Sequence, residues 1–333
     1  MKLYTHMPLF FLFIFFINHI EAEVYKIGFG SCIDQDFPQP IWAPIEKEKV
    51  NSFIFLGDNV YGDDDSGNLN KLKSAYTKQK KLLPEWLNNN NTFSIWDDHD
   101  YGVNDGGSTF NLKDESQKLY LDFWDIPKND ERHSRKGVYF NKIIELENYK
   151  INLIGLDTRY FRSDLLGTKL FYKKDNRDSS TILGDRQWRW LESVIKTESD
   201  LIILMSSIQI LATEHRFEKW NLFPKERKKL IALIQSSDIP LLIISGDRHK
   251  GALYKLDNIY ELTSSSLNKP VAISKLVNEN DKLMIGKTYN DENYGVIEIN
   301  TDQAKVSLSL KNKSGEIINT CLLYTSPSPR DTR

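Results

Sequence analysis

The chain has 333 residues, 40% of them hydrophobic and 27% charged, with 44 Lys and Arg against 46 Asp and Glu. That is enough apolar material for one large core or two smaller ones, and too much for a disordered protein. A net charge of -2 leaves no basic surplus to serve nucleic-acid binding.

In chain order, the first segment carries an apolar block from Pro8 to Ile17. It is shorter than the ~20 residues that span a bilayer. Residues 1–22 therefore read as a signal peptide cleaved after Ala22, with an uncleaved anchor as the competing reading. Either one predicts an exported domain that is secreted, periplasmic or in an endomembrane lumen, with no stable membrane span after cleavage.

EVYKIGFGSC predicts a strand, PIWAPIEKEKV a helix and NSFIFLGD a second strand. One helix is expected over 68–90, with Leu69, Leu72, Tyr76 and Leu82 on one face. TFSIW is a strand and ESQKLYLDFW an amphipathic helix. GVYFNKIIELENYKINLIGLD reads as a hairpin around Glu147 and Asn148. Residues 158–181 are polar and predict a functional loop.

LGDRQWRWLESVIKT is expected to be a helix with an N-cap-like Asp185 and with Trp188 and Trp190 packing it. LIILMSS, ERKKLIALIQSS and LLIISGD continue as strand, helix, strand. From Leu253 onward, strands dominate: LYKL, IYELTSS, YGVIEIN and KVSLSL. His133 and His215 match no motif and read as surface residues. The end, CLLYTSPSPRDTR, looks like translated sequencing adapter. Residues 23–320 are thus expected to form one α/β domain, 321–333 a non-native tail, and Cys32 the sole native cysteine.

The apolar runs end in acids: FIFLGD at Asp58, FSIWDD at Asp97 and Asp98, LIGLD at Asp157, and LIISGD at Asp247. A single such Asp is most often a turn former. Open α/β sheets bind ligands outside the carboxyl ends of their strands. The four runs therefore predict carboxylates converging on one crevice. Converging carboxylates repel unless a cation sits among them, and Asp with His suits Mn, Fe, Ca or Zn. Two such ions could clamp a phosphate and generate hydroxide. A glycosidase pair would need only two acids and would give Cys32, His99 and His249 no task.

FGSC, FLGDNVYGD, IWDDHDYGVND, LDTRYFRS and SGDRH, in this order, resemble the PhoD-like alkaline phosphatases of the calcineurin-type metallophosphoesterases. The resemblance runs from about Ile27 to His249. It implies a four-layered αββα sandwich of two mixed sheets flanked by helices, and metal-dependent hydrolysis of phosphate esters by a metal-activated hydroxide. A phosphodiesterase using the same site is the nearest alternative. A non-catalytic calcium-binding module and a metallohydrolase for another bond are the more distant ones.

The resemblance also implies ligands. Cys32 and Tyr61 would bind iron as thiolate and phenolate, and Asp58 would bridge two metals. Asp98, with help from Asp97, would hold the second metal, and Asp247 and His249 would complete the set. Fe(3+) and Ca(2+) are the implied cofactors, with Zn and Mn as competing occupants. His99 falls at the proton donor to the leaving group, oriented by Asp100 or Asp105. Asn59, Arg159 and Arg162 would bind substrate, with Arg159 also stabilising developing charge. The arginines equally suit pinning their loop to acids. The sequence departs from the family pattern at Arg248, between Asp247 and His249. It departs again at Gln209, which fills or neighbours the place of a metal-binding His. YGVND is expected to turn the chain away from the site.

Overall fold

The structure, a computed structural model, describes residues 24–324 apart from 65, 90, 170 and 271–278. The expected signal peptide lies outside the described residues, as does the expected tail beyond residue 324. In chain order the elements open with β1 (Val24–Gly30), α1 (Trp42–Lys47), β2 (Ser52–Leu56), α2 (Asn70–Lys80), α3 (Trp86–Asn89) and β3 (Asn91–Ile95). Then come α4 (Asp98–Tyr101), α5 (Lys113–Phe123), β4 (Phe140–Glu145), β5 (Lys150–Gly155), β6 (Leu166–Thr168), β7 (Phe171–Lys173) and α6 (Gly184–Val194). The remainder is β8 (Leu201–Ser206), α7 (Pro224–Gln235), β9 (Leu241–Ser245), β10 (Gly251–Leu256), β11 (Ile259–Ser264), β12 (Met284–Tyr289), β13 (Asn293–Asn300), β14 (Lys305–Asn312) and β15 (Ile317–Tyr324).

Two mixed sheets result, ordered β15-β14-β13-β1-β2-β3 and β12-β10-β11-β9-β8-β5-β4. Strands such as β2 (SFIFL) and β9 (LLIIS) read as near-continuous apolar runs because both faces are covered. In β9, Leu242 and Ile244 face the core between the sheets, while Leu241 and Ile243 face α6 and α7. In β2, Ile54 and Leu56 face the same inter-sheet core, while Phe53 and Phe55 pack outward with Trp42 of α1. The layers are thus helix, sheet, sheet, helix, as the family resemblance implies.

Several local expectations are corrected. The helix expected over 68–90 is broken between α2 and α3 by Pro84, which lacks an N–H to donate. Leu82 lies in that break and is exposed. Residue 183 caps α6, so Asp185 sits inside its first turn, where a carboxylate favours the positive helix end. Part of the expected loop at 158–181 pairs as the β6–β7 ribbon. His215 is buried, with Nε2 2.8 Å from the Gln209 side-chain oxygen, and His133 is half-buried against the Ile126 carbonyl. Two edge strands escaped the sequence reading, β12 and β15. β15 runs past Thr320 and pairs Cys321 with Leu308.

Candidate metal centre

Strands β1, β2 and β3 run parallel in one sheet, and β9 and β11 run parallel in the other. Their carboxyl ends meet. Ser31 N donates to the Ser264 carbonyl at 3.1 Å, joining the ends of β1 and β11 across the sheets. Cys32 N donates to Gly57 O at 3.3 Å, and Gly246 N to Ser207 O at 3.1 Å. Residues just past these strands are therefore held in one place.

The backbone there takes an unusual form. Cys32, Asp58, Asp247 and His249 have φ of 59°, 49°, 67° and 53°. This left-handed region is disfavoured for side chains other than Asn, Asp and His, and such conformations cluster at functional sites. Gly57, at φ 99°, permits a close approach: a Cβ there would stand 2.6 Å from Asp97 Cβ.

Three sets of donor atoms lie within 4.8 Å of one another: Cys32, Asp58 and His249; Asp58, Asp98 and His99; Asp97, Asp98 and Asp247. Asp58 belongs to two sets and Asp98 to two, so the sets form one continuous site. Tyr61 joins it, its hydroxyl donating to Asp58 Oδ2 at 3.2 Å and lying 3.4 Å from His249 Nε2. Cys32 Sγ lies 3.3 Å from Asp58 Oδ2 and 3.1 Å from Ser265 Oγ. His249 Nδ1 lies 2.6 Å from the Lys269 carbonyl, which makes Nδ1 the protonated nitrogen and leaves Nε2 as a ligand atom.

The charges do not balance within the protein. Burial, with repulsion from Asp98, Asp97 and Asp100, pushes the Asp58 pKa well up against the attraction of His99. Burial likewise raises Asp247, beside Asp97 and Asp98, and raises Asp97 to about 7 despite Arg159. Cys32 and Tyr61 are raised by burial and by Asp58. Burial lowers His249 to about 4, its neutral, ligating form. Asp98 is held below the usual carboxylate range, against burial, by His99 and Arg159. Asp58 Oδ1 and Asp97 Oδ2 are buried without a hydrogen-bond partner. Orphaned carboxylate oxygens amid mutual repulsion are what a bound cation relieves, so the donor set fits metal.

Other predicted residues are placed differently. Asp157 stays out of the cluster: its carboxylate accepts from the backbone N–H of Arg159, Tyr160 and Val138, capping the next loop. Asp100 does not reach His99; it closes the start of α4 by accepting from Asp97 N and Asn59 N, both at 3.0 Å. Asp105 is engaged with Tyr172 at 2.6 Å, and its own N–H returns to Asp98 at 2.7 Å. YGVND thus folds back on the site rather than leaving it. The carboxylate on His99 is Asp63, 2.6 Å from Nδ1. Burial opposes charge on His99, but Asp98, Asp58 and Asp63 override it and raise its pKa.

The substrate-binding expectations are also revised. Arg159 is fully buried, bonded to Asp97 Oδ1 at 2.5 Å and to Glu218 Oε2 at 2.6 Å. Arg162 is fully buried too, paired with Glu218 at 2.8 Å and donating to the Asp105 and Gly106 carbonyls. Their geometry is that of pins, the second of the two readings. Asn59 turns its amide to the Ile95 carbonyl at 3.0 Å. Gln209 bonds Thr263 and His215 and so neighbours the centre rather than joining it.

Sequence reading missed Asp63, Glu218, Ser207 and Ser265. Asp63 had a signal in the acid-rich GDNVYGDD. The other three come from distant loops with no motif.

A family model described as PhoD-like phosphatase matches residues 73–310. That span begins after Cys32, Asp58 and Tyr61 and includes the remaining donors. No curated protein matches. A solved structure titled as that of PhoD superposes with a TM-score of 0.68 at 14% identity, covering 90% of this chain and 68% of that one. GAP50, described as the anchor in the inner membrane complex of Plasmodium, superposes with a TM-score of 0.60 at 14% identity, over 91% of this chain and 89% of that one. At such identities the likeness is one of fold.

Proposed function

The chain belongs to the PhoD-like phosphatase family, and from that premise we propose that it is an exported, metal-dependent hydrolase of phosphate esters. The observation that carries the reading is the unbroken run of donor sets through Asp58 and Asp98, with buried oxygens lacking partners. Cys32, Tyr61, Asp58 and His249 would hold one ion, and Asp58, Asp98, Asp97 and Asp247 the other. Thiolate and phenolate favour Fe(3+) for the first position, and carboxylates favour Ca(2+) for the second. When bound, such ions supply Lewis acidity for the phosphoryl oxygens and lower the pKa of water.

The chain's own groups do the rest. Asp63 fixes the His99 ring through Nδ1, which leaves Nε2 to give its proton to the departing alkoxide. Arg159 and Ser207 both bond Asp97 Oδ1, at 2.5 and 2.6 Å, so only Oδ2 remains for a cation. Arg159 is thus a positioning residue. The N-terminal apolar block supports export.

The likeness to a protein described as an anchor raises a second reading, a non-catalytic module. A His–Asp pair aimed at the donor cluster has no task in such a module, and it favours hydrolysis. Assay of the purified, metal-supplied protein with p-nitrophenyl phosphate and its bis-ester tests the proposal. Turnover that phosphate inhibits competitively is expected, and the ratio of the two rates separates monoesterase from diesterase. No turnover of either ester would overturn it.

A further inference from the structure

A phosphate ester needs a cation that can meet it from solvent, and the buried arginines do not offer one. Around the centre, the side chains of Arg159, Arg162, Arg248 and Lys250 are 0%, 0%, 6% and 9% exposed, each paired with a carboxylate. Lys269 differs: its side chain is 32% exposed. Its Nζ lies 3.5 Å from the centroid of the Tyr61 ring, the same tyrosine whose hydroxyl touches Asp58 and His249.

The lysine is well anchored from behind. Its carbonyl sits 2.6 Å from His249 Nδ1. The preceding Asn268 accepts from Asp34 N at 2.7 Å and donates to the Asp34 carbonyl at 2.9 Å. One residue thus orients a candidate ligand through its main chain and brings an ammonium to the rim of the centre through its side chain. The ammonium is paired with Asp34, a carboxylate that is 5% exposed and belongs to none of the donor sets.

We propose that Lys269 is a substrate-binding cation of this site, exchanging Asp34 for the non-bridging oxygens of a phosphate ester. The proposal rests on the phosphatase reading above. A lysine suits it, since a compact point charge on a flexible stem can move between two anions. The exchange also gives Asp34 a role: it holds the ammonium at the rim while the site is empty and competes with weak anions.

The test is steady-state kinetics and phosphate inhibition for the wild type, Lys269→Ala, Lys269→Gln, Lys269→Arg and Asp34→Asn, with metal content measured alongside. Loss of a charge-assisted bond should raise KM and the inhibition constant for phosphate about tenfold in the Ala and Gln variants, with kcat changing less. Lys269→Arg should recover part of the loss. Metal content should stay at the wild-type level, because the Lys269 carbonyl survives every substitution. Asp34→Asn should leave KM unchanged or lower, since it frees the ammonium. A lysine that merely pins Asp34 would make Asp34→Asn as defective as Lys269→Ala, and that result overturns the proposal. So does wild-type KM in Lys269→Ala. A wild type that neither turns over esters nor binds phosphate would instead sink the phosphatase reading itself.

Discussion

His99 is the residue on which the chemistry turns, and its partner is Asp63, 2.6 Å away. His99→Gln should lower kcat about 10²–10⁴-fold for an alkyl phosphate and far less for p-nitrophenyl phosphate, whose leaving group needs no proton. Asp63→Asn should show the same leaving-group dependence with a smaller loss, about 10–100-fold. Equal losses on both substrates would remove the proton-donor role. Arg159 makes a different prediction. Its removal strips Asp97 of its buried counter-charge and leaves Glu218 with Arg162 alone, so Arg159→Ala should cost about 3–5 kcal/mol in denaturant unfolding. Asp157 shows how far a residue can be read from sequence. Like Asp58 and Asp247 it ends an apolar run, and that marks the strand's end. Where its carboxylate points depends on the next turn, and here the turn brings three N–H groups to it. Glu218 and Lys269 carried no signal, because each reaches the centre only through loops that close in three dimensions.

At the scale of the element, the centre depends on how closely β2 and β3 approach beyond their paired ends. Gly57 allows it, with a φ of 99° and no Cβ to meet Asp97. Gly57→Ala combines a disfavoured conformation with a 2.6 Å contact and should destabilise by about 1–3 kcal/mol. It should also weaken metal binding, because Asp97 is the group displaced; unaltered stability and metal affinity would show the contact relaxes freely. The parallel strands were legible because burial on both faces leaves continuous apolar runs such as LLIIS and FIFL. β12 was not, since MIGKTY holds no fully buried residue and its sequence shows no clean alternation of apolar and polar residues. The split between α2 and α3 was legible in principle from Pro84, whose effect the surrounding helical spacing concealed.

For the whole molecule, metal and folding are coupled. Burial raises Asp97 to about 7, and raises Asp58 and Asp247 well above the carboxylate range, in the metal-free protein. Unfolded carboxylates titrate near ~4, so the metal-free fold binds more protons than the unfolded chain. Its stability from these groups is present below pH ~4 and lost as pH rises through ~7. Bound cations keep the same groups ionised and stabilise the fold by mass action. The gap in Tm between metal-loaded and chelated protein should therefore widen from about pH 5 to about pH 8; a constant gap would show that these carboxylates are not the ligands.

An α/β domain was legible from the alternation of elements, and the two-sheet sandwich from the motif set, as was the meeting of Cys32, Asp58, Asp98, Asp247 and His249. The clamp of Arg159, Arg162 and Glu218 behind them was not, since it joins loops 158–162 and 213–219 by charge alone. The most direct test of the centre is elemental analysis of purified wild-type protein beside Asp58→Asn, a substitution at one of the two residues that belong to two donor sets. Two metal ions per wild-type chain, iron and calcium, with at least one lost in Asp58→Asn, is the expected result; metal-free wild type, or full metal content in Asp58→Asn, would contradict a dinuclear centre built on Asp58.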